Sequence, residues 1–312
     1  MLRLSIIIPF FNVERYIAQC LDSVFDQDIP ESEYEVICVD DLGQDQSLSI
    51  VEAYVKQHSN LRIVRNAINR KLGGARNSGM EVAQGRYVWY IDSDDFIEPN
   101  VFGRLLEEAG KEDLDVLHFN YEWYPDRNNS SNHRVENTEL MSGPEMFFDK
   151  RFIWYHDLVT AWRKIYKRQF LIDNHIEFGE HIMFEDNDYA IQVFAKAKRV
   201  CHIQLNCYNY RNNPESITRV RVTSNHIDYW LKVCHRLSVF RQQFLIEGID
   251  LRFQKLIDSF IRYELRHVVE MYHQLAKDER EVAKQIIRKG CDKSMRQYMP
   301  VKMYYKVRFG LL

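Results

Sequence analysis

The chain has 312 residues, of which 46% are hydrophobic and 28% charged, as expected of a globular protein with a sizeable core. Its formal net charge of −3 argues against a general nucleic-acid binder, because such domains are usually strongly basic. The six cysteines lack Cys-x-x-Cys spacing, which fits a reducing, cytoplasmic compartment. No window approaches about 18 uninterrupted apolar residues, so we predict no membrane span.

Strand and helix patterns alternate along the first hundred residues. Apolar, often β-branched runs predict buried strands at 4–9, 35–39, 61–65 and 87–91. Segments with helical spacing between them predict helices at 14–25, 47–58 and 73–83. Strands that alternate with helices imply crossover connections, so we expect an α/β fold with a largely parallel sheet.

The later part of the chain has a different pattern. It predicts a polar surface loop at 122–142 and a helical, aromatic-rich region at 146–172. A helix that opens with a polar turn is predicted at 179–197, and one or two strands at 200–210. From Ser224 onward the chain is typical of long helices. We therefore expect a first domain at 1–220 and a helical C-terminal subdomain at 221–312.

Acidic residues follow two of the predicted strands at their carboxyl ends, where ligands collect in such sheets. The first pair is Asp40 and Asp41. A carboxylate there can accept hydrogen bonds from a nucleobase or a ribose hydroxyl. Alternatively, one of the two caps the next helix, a role that Asp45 or Ser47 would fill equally well.

The second cluster is the segment Asp92-Ser93-Asp94-Asp95. Three like charges this close cost energy unless a cation is present. A hard ion such as Mg²⁺ or Mn²⁺ removes that cost by taking one or two carboxylates while substrate phosphates fill other positions. The simpler alternative is a solvated acidic turn, which the position at a strand end disfavours.

A third acidic feature, Glu185 and Asp186, lies at a predicted helix start. These residues could cap that helix and complement its dipole. Equally, one of them could be a general base that removes a proton from a hydroxyl group. The spacing alone does not separate the two interpretations.

Taken together, six segments resemble bacterial family 2 glycosyltransferases with the GT-A fold: SIIIPFFN, ICVDD, GGARNSGM, GRYVWYIDSDDFIEP, FEDNDY and YNYRNNPESIT. They span roughly residues 4–220, and their order makes the resemblance specific. It implies a GT-A domain, a mostly parallel sheet flanked by helices, over 1–220. The implied reaction is inverting, metal-dependent transfer of one sugar from a nucleotide sugar, with a UDP-sugar expected, to an acceptor hydroxyl in surface polysaccharide or glycolipid assembly.

The resemblance also implies roles for residues of the first domain. Pro9 and Phe11 would contact the nucleobase, and Arg76 would lie near the nucleotide. Asp41, and after it Asp40, would bind base and ribose. In this family a glycine usually follows such an acid pair, whereas this chain has Leu42, which suggests a turn shifted by one residue.

The remaining implied roles concern the diphosphate, the sugar and the acceptor. The segment around Asp92 and Ser93 would contact sugar or ribose, and Asp94, with Asp92, would bind Mn²⁺ or Mg²⁺. The cation of Arg211 would approach the diphosphate. Asp186 would be the base and Glu185 would hold the acceptor. The Q-x-x-R-W motif of processive synthases is absent from the sequence, which favours transfer of a single sugar.

Other classes of protein fit less well. A nucleotidylyltransferase would carry a Gly-rich, Arg-containing loop after the first strand, where this chain has PFFNVERY. A dehydrogenase would carry G-x-G-x-x-G there. A non-catalytic binding module on a GT-A fold stays open, although Asp92, Asp94 and Asp186 argue against it.

The C-terminal tail from Arg280 onward is basic, with nine Lys and Arg against Glu281 and Asp292, and it is interleaved with aromatic and aliphatic residues. Such a tail could dock peripherally at the inner face of the plasma membrane. Equally, it could fold back on the helical subdomain or form a dimer. As partners we expect a nucleotide-sugar donor and a sugar or lipid-linked sugar acceptor, but no nucleic acid, and a homo-oligomer stays open.

Overall fold

The computed structural model describes residues 2–125, 135–152, 157–213, 221–247 and 250–308, with the backbone alone at 244–247 and 308. The chain divides into two compact units. The first comprises Met1–His181 and Tyr189–Asn213, and the second comprises Ile182–Asp188 and Pro214–Leu312. The predicted boundary after residue 220 falls at the end of 214–220, a range outside the described residues.

The first unit is built on an eight-stranded mixed sheet. Its strands are β1 (Leu4–Phe10), β2 (Tyr34–Asp40), β3 (Leu61–Arg65), β4 (Tyr87–Tyr90), β5 (Phe96–Ile97), β6 (Val116–Tyr124), β7 (Lys164–Lys167) and β8 (Val200–Arg211). The spatial order is β3-β2-β1-β4-β7-β6-β8-β5. The first four strands are parallel to one another, while β7 runs antiparallel to both of its neighbours.

Helices connect these strands and continue into the second unit. They are α1 (Ile17–Phe25), α2 (Ser47–Val55), α3 (Lys71–Val82), α4 (Phe102–Lys111), α5 (Gly143–Phe147), α6 (Arg168–Asp173), α7 (Glu185–Lys196), α8 (Ser224–Glu247), α9 (Leu251–Gln274), α10 (Lys277–Gly290) and α11 (Val301–Arg308). The predicted α/β architecture is therefore confirmed, including all four early strands and the long C-terminal helices.

Burial explains why the central strands form. Every residue of β1 and of β2 is buried, because helices cover both faces of this part of the sheet. Helix α3 packs so closely that a Cβ atom at Gly79 would lie 2.4 Å from Ile7 Cγ2 and 3.2 Å from Val39 Cγ2. A glycine is therefore needed at this contact, which sets how closely α3 packs on β1 and β2.

The prediction of a helical region at 146–172 is wrong in part. Residues Lys164–Lys167 form β7, which pairs with β4 and β6, after a short 3₁₀ turn at Ala161–Arg163. A short apolar run does not distinguish a buried strand from a helix, and here tertiary pairing decides. The predicted loop at 122–142 also begins later than expected, since β6 extends to Tyr124, and 126–134 lie outside the described residues.

The second unit is helical. Helices α8, α9 and α10 pack together, and α11 packs against α10. Five large apolar residues of the basic tail are buried: Met295, Tyr298, Met299, Tyr304 and Val307. Among the described residues, no helix combines the length and apolar character that a membrane span requires.

Candidate functional site

The first part of the site lies where β1 ends. Pro9 is buried within β1, opposite Val39 in the neighbouring strand. Phe11 follows the strand with 47% of its surface exposed, and Asn12 next to it turns the chain with φ 54°. The structure therefore presents the Phe11 ring at the strand end, whereas Pro9 belongs to the core.

Asp40 and Asp41 end β2, each only 4% exposed. Asp40 Oδ1 accepts hydrogen bonds from the backbone N–H groups of Leu42 (3.0 Å) and Gly43 (3.3 Å). Leu42 has φ 67°, the left-handed conformation that favours glycine. The turn therefore has a left-handed residue at position 42, where a glycine would be free of strain.

Neither acid caps α2. Asp41 Oδ1 accepts hydrogen bonds from Asn66 Nδ2 and from the backbone N–H of Arg70, both at 2.8 Å. It is Asp45 that serves the start of α2, because its Oδ1 accepts from the backbone N–H of Ser47 at 3.0 Å. The capping alternative for Asp40 and Asp41 is therefore wrong.

The acidic turn after β4 alternates between buried and accessible residues. Asp92 and Asp94 are half-buried, while Ser93 and Asp95 are buried. Asp92 Oδ1 accepts a hydrogen bond at 2.8 Å from the guanidinium of Arg76, a side chain of α3 that is only 1% exposed. The structure thus brings together two of the predicted donor-site residues, one from α3 and one from the acidic turn.

Asp95 supports the turn from inside. It accepts hydrogen bonds from the Tyr208 hydroxyl and from the backbone N–H of Arg211, both at 2.7 Å. Burial raises the pKa of Asp95 well above its usual value, and the nearby charges of Asp94 and Asp92 raise it further. The three carboxylates are therefore close enough to repel one another, as their spacing in the sequence predicted.

The end of β8 holds the same turn from the other side. Asn213 Nδ2 donates to Asp94 Oδ2 at 2.9 Å, and Arg211 Nε donates to the Asp94 carbonyl at 2.7 Å. The Arg211 guanidinium also lies 5.1–5.4 Å from three ring centroids, those of Tyr16, Phe96 and Tyr124. Asn213 and Tyr208 were not predicted as site residues, although both lie near Arg211 in the segment YNYRNN.

The accessible acids of this turn fit a hard divalent cation. Within the described residues, no group of three or more His, Cys, Asp and Glu side chains is arranged to hold a metal alone. A Mg²⁺-type ion instead takes one or two carboxylates and fills its other positions with water and substrate phosphates. The half-buried Asp92 and Asp94 supply such carboxylates, next to the buried Asp95.

Glu185 and Asp186 form the first turn of α7 and belong to the second unit. Glu185 is buried. Two residues beyond Asp186, the buried Asp188 accepts a hydrogen bond from Arg236 Nε at 2.6 Å, and burial raises its pKa to about 6. All other predicted site residues belong to the first unit.

Comparisons with known proteins agree with this fold. The model of the family "Glycosyl transferase family 2" matches residues 5–176. The uncharacterized glycosyltransferase EpsJ of Bacillus subtilis is 35% identical over 224 residues, which cover 69% of this chain and 63% of EpsJ. The poly(ribitol-phosphate) beta-N-acetylglucosaminyltransferase TarS of Staphylococcus aureus is 30% identical over 218 residues, which cover 69% of this chain and 36% of TarS.

Solved structures show the same fold. The crystal structure of S. aureus TarS in complex with UDP-GlcNAc superposes with a TM-score of 0.72 at 22% identity, covering 98% of this chain and 87% of that chain. The mannosyltransferase PcManGT of Pyrobaculum calidifontis, in complex with GDP-Man and Mn²⁺, has a TM-score of 0.54 at 14% identity, with coverage of 98% and 85%. The chain spans less than two thirds of the length of EpsJ and about a third of that of TarS. With its GT-A fold and the match over 5–176, the chain belongs to glycosyl transferase family 2.

Proposed function

We propose that this protein is an inverting glycosyltransferase that moves one sugar from a nucleotide sugar, with UDP as the expected nucleotide, to an acceptor hydroxyl in the presence of Mn²⁺ or Mg²⁺. The observation that carries the proposal is the group of side chains at the carboxyl ends of the adjacent strands β2, β1 and β4. It combines an exposed aromatic ring, an oriented acid pair and an accessible acidic turn. Family membership and the UDP-GlcNAc complex of TarS support this assignment.

The nucleoside would bind at the ends of β1 and β2. The exposed ring of Phe11 would stack on the base, and Asp41 and Asp40 would accept hydrogen bonds from base and ribose. One oxygen of each carboxylate is already held by two N–H donors. Both acids are therefore oriented before the donor arrives, which lowers the cost of binding.

The diphosphate would bind at the acidic turn. A divalent ion, when bound, supplies positive charge that stabilises the leaving diphosphate. Asp94 would hold that ion, with Asp92 as a second ligand and as a contact for the sugar or ribose, and Ser93 lies between them. Arg76 keeps Asp92 oriented through their 2.8 Å hydrogen bond, and Arg211 adds a cation at the same turn.

The proton of the acceptor hydroxyl would pass to Asp186, while Glu185 holds the acceptor. As this proton leaves, the acceptor oxygen forms its bond to the anomeric carbon from the face opposite the diphosphate. The bond between the anomeric carbon and the diphosphate breaks, and its electron pair leaves on the diphosphate oxygen. Because the new bond forms on the opposite face, the configuration of the sugar is inverted. The poly(ribitol-phosphate) in the name of TarS is a polymer that bears hydroxyl groups, which supports an acceptor in polysaccharide assembly.

We also propose that the second unit meets an anionic membrane, where a lipid-linked acceptor would lie. Helix α11 exposes Val301 (62%) and Tyr305 (43%) beside the exposed Lys302 and Lys306. Apolar side chains flanked by cations are the composition of a peripheral membrane contact. The buried apolar residues of the tail indicate that most of it folds back on the helical unit, so only the exposed side of α11 would meet the membrane.

A single assay series tests the proposed reaction. Purified protein is incubated with UDP-glucose, UDP-galactose, UDP-GlcNAc or UDP-GalNAc in Mn²⁺ or in EDTA, and release of UDP is measured, with water as the acceptor of the sugar. We expect turnover with Mn²⁺ and none with EDTA. Asp94→Asn should abolish it, and Asp186→Asn should lower it at least about 10²-fold without weakening UDP binding. The exposed Asp278→Asn is the matched control.

Three results would contradict the proposal. Undiminished turnover in EDTA would exclude the metal. Loss of UDP binding in Asp186→Asn, with the fold intact by circular dichroism, would exclude the role of base. Binding of UDP without turnover of any nucleotide sugar would favour a non-catalytic binding module.

A further inference from the structure

A second set of polar side chains is connected to Asp41 by hydrogen bonds and is centred on Arg70. This residue immediately precedes α3, and its guanidinium holds the carboxylate of Glu180 with two nitrogens, Nε donating to Oε2 at 3.2 Å and Nη2 donating to Oε1. Its third nitrogen, Nη1, donates to Ser78 Oγ at 2.5 Å. One cation therefore joins the segment around Glu180 to α3.

The hydrogen bonds continue in one direction from Ser78 to the acid pair. Ser78 Oγ donates to Asn66 Oδ1 at 2.7 Å, and Asn66 Nδ2 donates to Asp41 Oδ1 at 2.8 Å. Ser78 and Asn66 are both buried. The same oxygen of Asp41 also accepts from the backbone N–H of Arg70 at 2.8 Å. Arg70 thus acts on Asp41 directly, through its backbone, and indirectly, through two polar side chains in series.

The surroundings leave Arg70 little freedom. A Cβ atom at Gly74 would lie 2.4 Å from Arg70 Cβ, so the chain keeps a glycine where the arginine stem crosses α3. On the other side, the backbone N–H of His181 donates to the Arg70 carbonyl at 2.9 Å. Partial burial acts to raise the pKa of Glu180, but hydrogen bonds from Arg70 and Asn77 lower it below its usual value. Glu180 is therefore a charged partner at neutral pH.

The partial exposure of the Arg70–Glu180 pair indicates a role in ligand binding and not in the stability of the fold. The side chains are 23% and 34% exposed, and an ion pair this accessible contributes little to the free energy of unfolding. Its hydrogen bonds, however, fix a carboxylate that faces the proposed nucleoside site. A positioning role should therefore appear in ligand affinity much more than in stability.

We propose that Arg70 and Glu180 are positioning residues for the donor nucleotide. They hold the Asp41 carboxylate, through Ser78 and Asn66, in the orientation in which it accepts hydrogen bonds from the nucleoside. Neither side chain touches the donor. The inference rests on the proposed function, because it takes Asp41 as a ligand of the nucleoside.

The test measures UDP binding and turnover separately in the full-length protein. Arg70→Gln and Glu180→Gln should each weaken UDP binding in calorimetry, and raise the donor KM, by about tenfold, the effect of losing one or two hydrogen bonds to a charged group. Their kcat should change less than about twofold, because the reacting atoms keep their contacts. The double variant should bind UDP no less tightly than the single variant with the lower affinity, since both changes break the same network.

Two further variants sharpen the test. Arg65→Gln breaks the exposed ion pair between Arg65 and Glu52 on the same unit and should leave UDP binding unchanged. Ser78→Ala interrupts the series of hydrogen bonds while leaving the Arg70–Glu180 pair intact, and should weaken UDP binding as Arg70→Gln does. It therefore serves as the independent test if the arginine variant fails to fold.

The outcomes separate this inference from the proposed function. Wild-type protein that binds no UDP would overturn both. Wild-type protein that binds UDP, with Arg70→Gln and Ser78→Ala binding equally well, would overturn the inference alone. A loss of kcat without a change in UDP affinity would also overturn it, since it would place the pair in the chemical step.

Discussion

At the residue scale, Leu42 has a backbone conformation that its side chain disfavours. Its φ of 67° lies in the left-handed region, which costs an L-residue about 1–2 kcal/mol relative to glycine. The side chain is 38% exposed and so recovers only part of that cost by burial. The hydrogen bonds from the backbone of Leu42 and Gly43 to Asp40 maintain the turn. The strained conformation therefore lies directly beside the proposed nucleoside site.

We predict that Leu42→Gly is more stable than Leu42→Ala by about 1 kcal/mol, because both variants lose the same side-chain contacts and glycine alone relieves the backbone strain. Urea denaturation followed by circular dichroism measures the difference. Equal stabilities of the two variants would show that position 42 carries no strain.

The residues of the site could be predicted to different degrees. Asp40, Asp41, Asp92 and Asp94 could be proposed from the sequence because they lie at or just after the ends of strands with a clear apolar pattern. Tyr208, Asn213, Arg70 and Glu180 were missed because they act through partners far along the chain, such as Arg70 and Glu180, which are 110 residues apart. Contacts of this kind leave no periodic signal in a sequence. In the same way, β7 was not predicted, since pairing with β4 and β6 defines it.

At the element scale, a buried histidine pair joins the parallel strands β6 and β8. The Nδ1 atoms of His118 and His202 are 2.7 Å apart, and the two Nε2 atoms face the carbonyl oxygens of Asp157 (2.6 Å) and Val135 (2.9 Å). Each of these three contacts needs one N–H hydrogen to be a hydrogen bond, but two neutral imidazoles carry only two such hydrogens between them. A third hydrogen would add a positive charge that burial opposes.

The neighbouring charges act on this pair in the same direction as burial. Burial first, and then the cation of Arg163, hold the pKa of His118 well below its usual value, with Lys164 adding to the effect. Burial lowers the pKa of His202 to about 4 against the contribution of the Val135 carbonyl, and Arg163 and Arg151 oppose the negative charge of Asp157. Both histidines are therefore neutral at pH 7.

We predict that acid destabilises the first unit through this pair. The unfolded chain protonates His202 near pH 6.5 and the folded chain only near pH 4, and the folded-state pKa of His118 is lowered in the same direction. The stability contributed by the neutral pair is therefore complete above pH 6.5 and is lost as the pH falls toward 4. For His202 the loss is at most about 3 kcal/mol. Urea denaturation between pH 7 and 4.5 should give a shallower pH dependence for His202→Gln than for wild type, with the exposed His273→Gln as control. An unchanged slope would contradict the prediction.

At the scale of the whole molecule, charge is unevenly distributed along the chain. Within residues 293–308 there are five Lys and Arg and no acid, although the protein as a whole carries a net charge of −3. Lys293 and Arg296 are exposed beside the larger apolar residues that the unit buries. The sequence could reveal this charge but not which apolar residues turn inward, because that depends on the packing of α11 against α10.

We predict that α11 binds anionic vesicles. The double variant Lys302→Glu and Lys306→Glu should float with phosphatidylserine-containing liposomes at least about tenfold less than wild type at low salt, since each basic residue contributes about 1 kcal/mol at such a surface. The double variant Lys56→Glu and Lys150→Glu makes the same change in net charge with exposed lysines of the first unit. High salt should abolish flotation. Equal flotation of the two double variants, or none for wild type, would refute the membrane contact.

The second unit takes its seven residues Ile182–Asp188 from the middle of the sequence and the rest from the end. Phe184 stacks on Trp230 at 4.5 Å, and Asp188 pairs with Arg236, so the inserted segment is packed into the helices. In genetic terms, a fusion or deletion at one end of the gene cannot exchange this unit. A chimera that replaces everything after residue 213 leaves Phe184 and Asp188 facing foreign helices. Transplanting the unit intact requires two replacements in the gene, one of them only seven codons long. That short segment, Ile182–Asp188, carries Glu185 and Asp186 with it.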